Sequence, residues 1–539
     1  MKYRLLFFIT IFLLLSCSLK EDIISLENGI SLELANYRSQ QVSDVVYLLD
    51  FDIPVEKSAP IPAYLTLTLI IQDLTNDLFL DFNEAKSHLK SVNINGKKTD
   101  INHQKEHLII DKKDLVLGGN TIVISFDAGE LSLNRNEEFL YTLLVPDRAS
   151  TLFPCFDQPD IKANYQLTIT APKEWEVLCG AFEESATDMG DFTKHVFKKT
   201  DKMSTYLFSF VAGKFTTFTK NPGAFDMRFL YRENNKEKIE ESVDEVFSIH
   251  QKSIDFLEEY TQVKFPFQKM DFAAIPPFQY GGMEHVGAIQ YRASSLFLDK
   301  NATQNRKLSR AKLIGHETSH MWFGDLVTMR WFNDVWMKEV FANFMADRIM
   351  NPVFPEINHE LNFMMSHYPS AYSEDRTKGT NAIRQYLGNL KNAGSLYGRI
   401  IYNKAPIMMR QLENLLGKEK FREGIQEYIQ TYANGNADWS ELVTILDNKT
   451  NGDIKSWSDV WVNSHGRPVF TEEIELNEKG DVTKFVIHQK AEDGSQKIWV
   501  QSFKIQLKDE RGYEKTINLK NMGNSFDISS AVKDFKPGQ

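Results

Sequence analysis

The chain has only three cysteines in 539 residues, and one of them, Cys17, sits at the end of the N-terminal leader. Cys155 and Cys179 stand in apolar surroundings and are read as buried thiols, not as a bridge. No run reaches the ~18 consecutive apolar residues of a membrane-spanning helix. Basic residues are in deficit: 62 Lys and Arg face 73 Asp and Glu, a net charge of −11, which argues against nucleic-acid binding by bulk charge. Internal repeats and low-complexity tracts are also missing, so nothing points to a solenoid or a disordered tail. Apolar and aromatic residues, by contrast, make up 42% and 12% of the chain. That suffices for several cores, and the length suggests about three or four domains.

The N-terminus reads as a leader. Met1-Lys2-Tyr3-Arg4 is a short basic segment, and residues 5–15 are an apolar run too short to span a bilayer. Leu14-Leu15-Ser16-Cys17 closes it and is similar to a bacterial lipobox, with residues 1–16 removed and lipid on the Cys17 thiol. An ordinary signal peptide with an incidental cysteine is the alternative. The lipoprotein reading places the chain in the cell envelope of a Gram-negative bacterium, tethered to a membrane through Cys17, on the periplasmic or the surface side.

Hydrophobic period divides the remainder and predicts a multidomain α+β fold. Over 27–231, Leu65, Leu67 and Leu69 alternate with threonines, and Ile122-Val123-Ile124-Ser125-Phe126 and Tyr165-Gln166-Leu167-Thr168-Ile169 repeat the pattern. This segment reads as a β-domain of sandwich or saddle type. From 232 the period becomes helical, with a helix over 238–260 and helices dominating 305–450, so 232–466 is set as a second domain. Asp438-Trp439-Ser440-Glu441 reads as a capping box. Alternation returns in Phe503-Lys504-Ile505-Gln506-Leu507, and 467–539 reads as a β-sandwich that stops short.

The chemistry is concentrated in His316-Glu317-Thr318-Ser319-His320 and in Glu339, nineteen residues further on. On a helix, positions i and i+4 share a face, so both imidazoles can meet one metal with Glu317 beside them. Glu339 lies in a second helical pattern opened by Asn333 and Asp334, residue types that cap helices. Two histidines and one carboxylate with a fourth position left open make a catalytic zinc set, one Zn²⁺ per chain, because structural zinc sites are closed by four protein ligands. Glu317 is the candidate general base. Asp325 and Asn333 are candidates for orienting the ligand imidazoles. Upstream, Gln279-Tyr280-Gly281-Gly282-Met283-Glu284-His285 is rich in glycine. It reads either as a plain turn with a solvated Glu284 or as a backbone that runs close to a ligand.

Together these residues resemble the zinc aminopeptidases of the aminopeptidase N and leukotriene hydrolase family, among the gluzincins. Gly281-Gly282-Met283-Glu284-His285 is similar to the family's exopeptidase motif, and His316, His320 and Glu339 match its zinc motif in type and spacing. Trp322-Phe323-Gly324-Asp325-Leu326-Val327-Thr328, Arg148 with Phe153-Pro154-Cys155-Phe156-Asp157-Gln158-Pro159, and Tyr402-Asn403-Lys404 match further signatures in order. The resemblance covers about residues 30–530. It implies a saddle-like β-domain, a thermolysin-like α/β catalytic domain, a small β-sandwich and a C-terminal helical domain, the last expected to be missing here.

The resemblance further implies removal of N-terminal residues from peptides with a free N-terminus. Glu284 would bind the α-ammonium, with Gly281, Gly282 and Met283 lining the substrate. Tyr402 would donate to the developing oxyanion, its alternative being a core tyrosine. Two departures stand out. His285 replaces the usual Asn and is expected to titrate near neutral pH and repel a cationic substrate when charged. Leu143 stands where the family usually has Gln or Glu assisting the amine. A thermolysin-type endopeptidase, which would not need Glu284, and an inactive binding relic are the competing readings.

Overall fold

The computed structural model describes residues 24–533 except 224, 509–511, 513 and 520–522. Residues 1–16, read above as a leader, and Cys17 lie outside the described residues. None of the described helices is long and apolar enough to cross a membrane.

The N-terminal part is β-rich. Its main sheet has eight strands, with Val42–Asp52, Pro62–Ile71, Gly118–Asp127 and Asn164–Pro172 at its centre. Neighbours run antiparallel, except that Val42–Asp52 pairs parallel with Asn164–Pro172. Leu65, Leu67 and Leu69 point inward with Ile122, Ile124 and Phe126 from the neighbouring strand. The alternation read from the sequence is therefore the division between core and surface. The helix Leu32–Gln41, capped by Ser31, was hidden within this strand-rich stretch. It is anchored by Arg38, a wholly buried side chain that holds Asp81 at 2.7 Å and Gln158 at 2.7 Å.

The part that follows is built on a five-stranded sheet in the order Thr216–Lys220, Met227–Tyr231, Asp271–Ile275, Ala288–Arg292, Gly282–Met283. The first two of these strands precede residue 232. The change of period at 232 therefore falls after two strands of this sheet, because period alone does not say which sheet a strand joins. The helix Lys236–Thr261 covers the segment expected to be helical. Gln304–His320 packs against Val335–Val353, and at their contact a side chain on Gly315 would meet Met350 and the backbone of Ala346 at 3.4–3.5 Å. The capping box at Asp438 and Glu441 is formed. The Val335–Val353 helix opens differently from the expectation. Asp334 makes no side-chain cap, because its carboxylate takes two 2.7 Å hydrogen bonds from Arg384.

At the C-terminal end Pro468–Leu476, Val482–Ala491 and Ser525–Asp527 form one sheet and Phe503–Lys508 pairs with Glu514–Leu519. They close on a small core of their own around Val482, Ile487, Leu519, Ile528 and Val532.

Candidate active site

A cavity of about 730 Å³ lies where the edge strand Gly282–Met283 faces the two packed helices. Nine of the residues singled out in the sequence line it: Gly281, Gly282, Met283, Glu284, His316, Glu317, His320, Glu339 and Tyr402. They come from four separate segments, so the packing of strand, helix pair and the 400–404 turn assembles them.

His316 and His320 leave the last turn of Gln304–His320 with their Nε2 atoms 3.1 Å apart. His316 Nε2 is 3.5 Å from Glu339 Oε2 on the neighbouring helix. Each imidazole's other nitrogen faces an acceptor: His316 Nδ1 lies 3.1 Å from the Asn343 side-chain oxygen, and His320 Nδ1 lies 3.0 Å from the Phe323 carbonyl. With protons on Nδ1, both Nε2 lone pairs converge, and only a cation or a shared proton reconciles them at that distance. Ligands about 2.0–2.1 Å from a tetrahedral zinc stand roughly 3.3 Å apart, which the two observed separations bracket. The donor set therefore fits zinc. The orienting partners are Asn343, one helical turn beyond Glu339, and a backbone carbonyl. They are not Asp325 and Asn333: the Asp325 carboxylate is buried without a hydrogen-bond partner, and no hydrogen bond joins Asn333 to either ligand imidazole.

Burial dominates the electrostatics. It pushes Glu317 up to about 8 despite the neighbouring His316, and it holds His320 at about 4, neutral as a ligand must be. Three carboxylates, Glu284, Glu317 and Glu339, thus share one enclosed space, Lys338 is the ammonium paired with Glu284 and Glu339, and this excess of carboxylates favours a cation at the histidine pair. Gly282 is required by this crowding. A Cβ there would stand well inside van der Waals contact of the Glu317 carboxylate. Its strand is pinned from behind by Arg292, which donates to the Phe278 and Gln279 carbonyls at 3.1 and 2.8 Å and whose N–H bonds Gly281 O at 2.9 Å. Tyr402 sits on a π-helical turn, Ile400–Lys404, about one-third exposed, with its ring stacked 6.4 Å from Tyr397. Lys404 is occupied structurally by Asp375 at 2.8 Å and Gly466 O at 3.0 Å.

One further sequence expectation is corrected. His285 does not titrate near neutral pH: it is wholly buried, its Nδ1 lies 3.2 Å from Leu207 O, and burial holds it at about 4. Leu143 is also wholly buried and does not reach the cavity; Val145 and Pro146 are what this segment contributes to the wall. The sequence reading also missed Lys338, which ion-pairs with Glu284 and lies 3.0 Å from Glu339 Oε1.

Residues 46–207 match the Peptidase M1 N-terminal domain, and residues 245–461 match the Peptidase family M1 domain. Among curated proteins the chain is similar to "Probable aminopeptidase 1" of Sulfurisphaera tokodaii, at 29% identity over 444 residues, 76% of this chain and 54% of the relative. It is similar to "Aminopeptidase N" of Streptomyces lividans at 28% over 478 residues, 85% of this chain and 54% of the relative. It is similar to "Puromycin-sensitive aminopeptidase" of Caenorhabditis elegans at 30% over 341 residues, 62% of this chain and 36% of the relative. The chain spans about half the length of the first two.

Proposed function

Because the chain carries the N-terminal and catalytic domains of peptidase family M1, we propose that it is a zinc-dependent aminopeptidase releasing N-terminal residues from peptides. The observation that carries this reading is the meeting of Glu284 with the His316, Glu317, His320 and Glu339 cluster in one cavity. The relatives named as aminopeptidases support it. His316, His320 and Glu339 would hold the metal, which when bound polarises the scissile carbonyl and acidifies a water molecule.

The remaining work falls to the chain's own groups. Glu317 takes a proton on its carboxylate and returns it to the leaving nitrogen, so that one water and one peptide bond give a free amino acid and a shortened peptide. Its unusual basicity in the buried site suits it to hold that proton. Tyr402 donates its phenolic O–H to the oxygen that gains charge. The Gly281-Gly282 backbone, at the edge of the five-stranded sheet, lies along the substrate. Glu284 faces the α-ammonium and places the cut one residue in. Lipid anchoring at Cys17, supported by the Leu14-Leu15-Ser16-Cys17 ending, belongs to the same proposal for the envelope. Labelled fatty acid should enter the wild type and not Cys17→Ser.

Zinc-reconstituted protein should shorten a defined peptide stepwise from its N-terminus, as followed by mass spectrometry, and Glu317→Gln should keep zinc and lose turnover. Internal fragments in place of a ladder would make it an endopeptidase, and no cleavage at all would refute the enzymatic reading.

A further inference from the structure

Gly394, Tyr397 and Tyr402 come to the cavity wall from one short stretch of chain. Burial raises the Tyr397 phenol above its ordinary value, Lys338 opposes this, and Glu339 and Glu284 add to it, so Tyr397 stands near the charged groups of the cavity. The stretch is entered through a 3₁₀ helix, Leu390–Leu396, which Asn389 caps by accepting from Lys391 N at 3.1 Å. The amide nitrogen of the same side chain donates to Glu27 Oε1 at 2.8 Å and to Asn28 O at 3.1 Å, 362 and 361 residues away in sequence. Backbone bonds run alongside, from Leu390 N to Ile30 O at 2.8 Å and from Leu32 N to Gly388 O at 2.9 Å. Gly29 permits this approach: its φ is +75°, and a Cβ there would stand 2.6 Å from Asn389 Oδ1. The N-terminal β-rich part grips the same segment. Glu106 accepts from Asn28 Nδ2 at 2.9 Å and from Gly29 N at 2.7 Å, and Lys105 Nζ donates to Leu26 O at 2.6 Å.

We propose that residues 27–31 form a strap that ties the N-terminal β-rich part to the cavity wall, holding Asn389 and through it Tyr397 in the geometry that receives substrate. The inference rests on the reading of this cavity as the substrate site. The strap itself does not line the cavity, so Asn389 is a positioning residue. A 3₁₀ turn is short and its hydrogen bonds are poorly aligned, so it does not fix its own orientation. On the preceding side the chain is pinned where Trp331 Nε1 donates to Leu387 O at 2.8 Å. Without the strap that pin remains, while Asn389 to Tyr397 gain freedom. A substrate must then order the wall as it binds, and that cost weakens binding while leaving the bond-breaking step alone.

The test follows leucyl-arylamide hydrolysis by the zinc-loaded full chain. Gly29→Ala forces the strap off Asn389 and leaves the helix cap in place, whereas Asn389→Ala removes both. Each should raise KM about three- to tenfold, with kcat and zinc affinity within about twofold of the wild type. A general loosening of the fold would add to any other defect, but a strap acting through Tyr397 would not. In a Tyr397→Ala background either substitution should therefore change KM by less than about twofold. KM unmoved in both variants overturns the proposal, and so does a shift of equal size with and without Tyr397. Should Asn389→Ala not fold, Gly29→Ala decides.

Binding separates this inference from the peptidase reading. In a zinc-loaded Glu317→Gln background, calorimetric affinity for leucinamide should fall about three- to tenfold on adding Gly29→Ala, and the fall should vanish when Tyr397→Ala is also present. No hydrolysis by any variant would sink the peptidase reading and leave this result standing. Equal leucinamide affinities with and without Gly29→Ala would overturn the role assigned to the strap, whatever the enzyme cleaves.

Discussion

Replacing Asn343 with alanine removes the acceptor that fixes His316. Asn343 Oδ1 lies 3.1 Å from His316 Nδ1 and holds the tautomer that leaves Nε2 free for metal. Partners of this kind typically contribute about tenfold to a hundredfold in metal affinity, roughly 1.4–2.7 kcal/mol. The His316 side chain is 16% exposed, so water can reach the vacated position and take part of the hydrogen bond. The expected loss is therefore in the lower part of that range, about tenfold to thirtyfold in zinc affinity. Competition against a chromophoric chelator at pH 7.5 reads this directly. Asn333→Ala, which touches neither imidazole, should stay within about twofold of the wild type. If Asn343→Ala binds zinc as tightly as the wild type, the orientation argument for His316 is wrong.

Three further outcomes follow from the same geometry. Gly282→Ala puts a methyl against the Glu317 carboxylate, so metal analysis should still find zinc while kcat falls by about tenfold or more. Burial holds His250 and His285 at about 4 against an unfolded value of 6.5. Below 6.5 the unfolded chain binds protons that the folded chain does not, so stability should fall as pH drops from about 6.5 to about 4. Each histidine contributes about 3 kcal/mol at the end of that window, measurable by urea unfolding at several pH values and lessened in His285→Asn. For the same reason His285→Asn should leave the pH profile of activity near 6.5 unchanged; a profile that moves would return His285 to the titrating role.

The cluster of His316, His320 and Glu339 was legible because its geometry is local. A helix sets His316 and His320 on one face whatever surrounds them, and Glu339 needed only a second helix of recognisable period. The alternating strands around Leu65, Ile122 and Tyr165 were legible for the corresponding reason, since a half-buried sheet writes its two faces into the sequence. The helix Leu32–Gln41 was not, because what holds it is the long-range contact of Arg38 with Asp81 and Gln158. Nor could the sequence say that Thr216–Lys220 and Met227–Tyr231 join the five-stranded sheet.

The electrostatic character of the site was decided only in three dimensions. His285 reads as a neutral-pH switch until the packing around it removes water. Asn343 reads as one more helix residue until its turn is laid beside His316. Lys338 reads as a solvated charge on a helix until the end of the Gly282–Met283 strand brings Glu284 against it from 54 residues away. Residue type and spacing determine which ligands can meet a metal. Which charges are dried, paired or left to bind substrate is determined by segments distant in sequence, because desolvation is a property of the enclosed volume and not of any one stretch of chain.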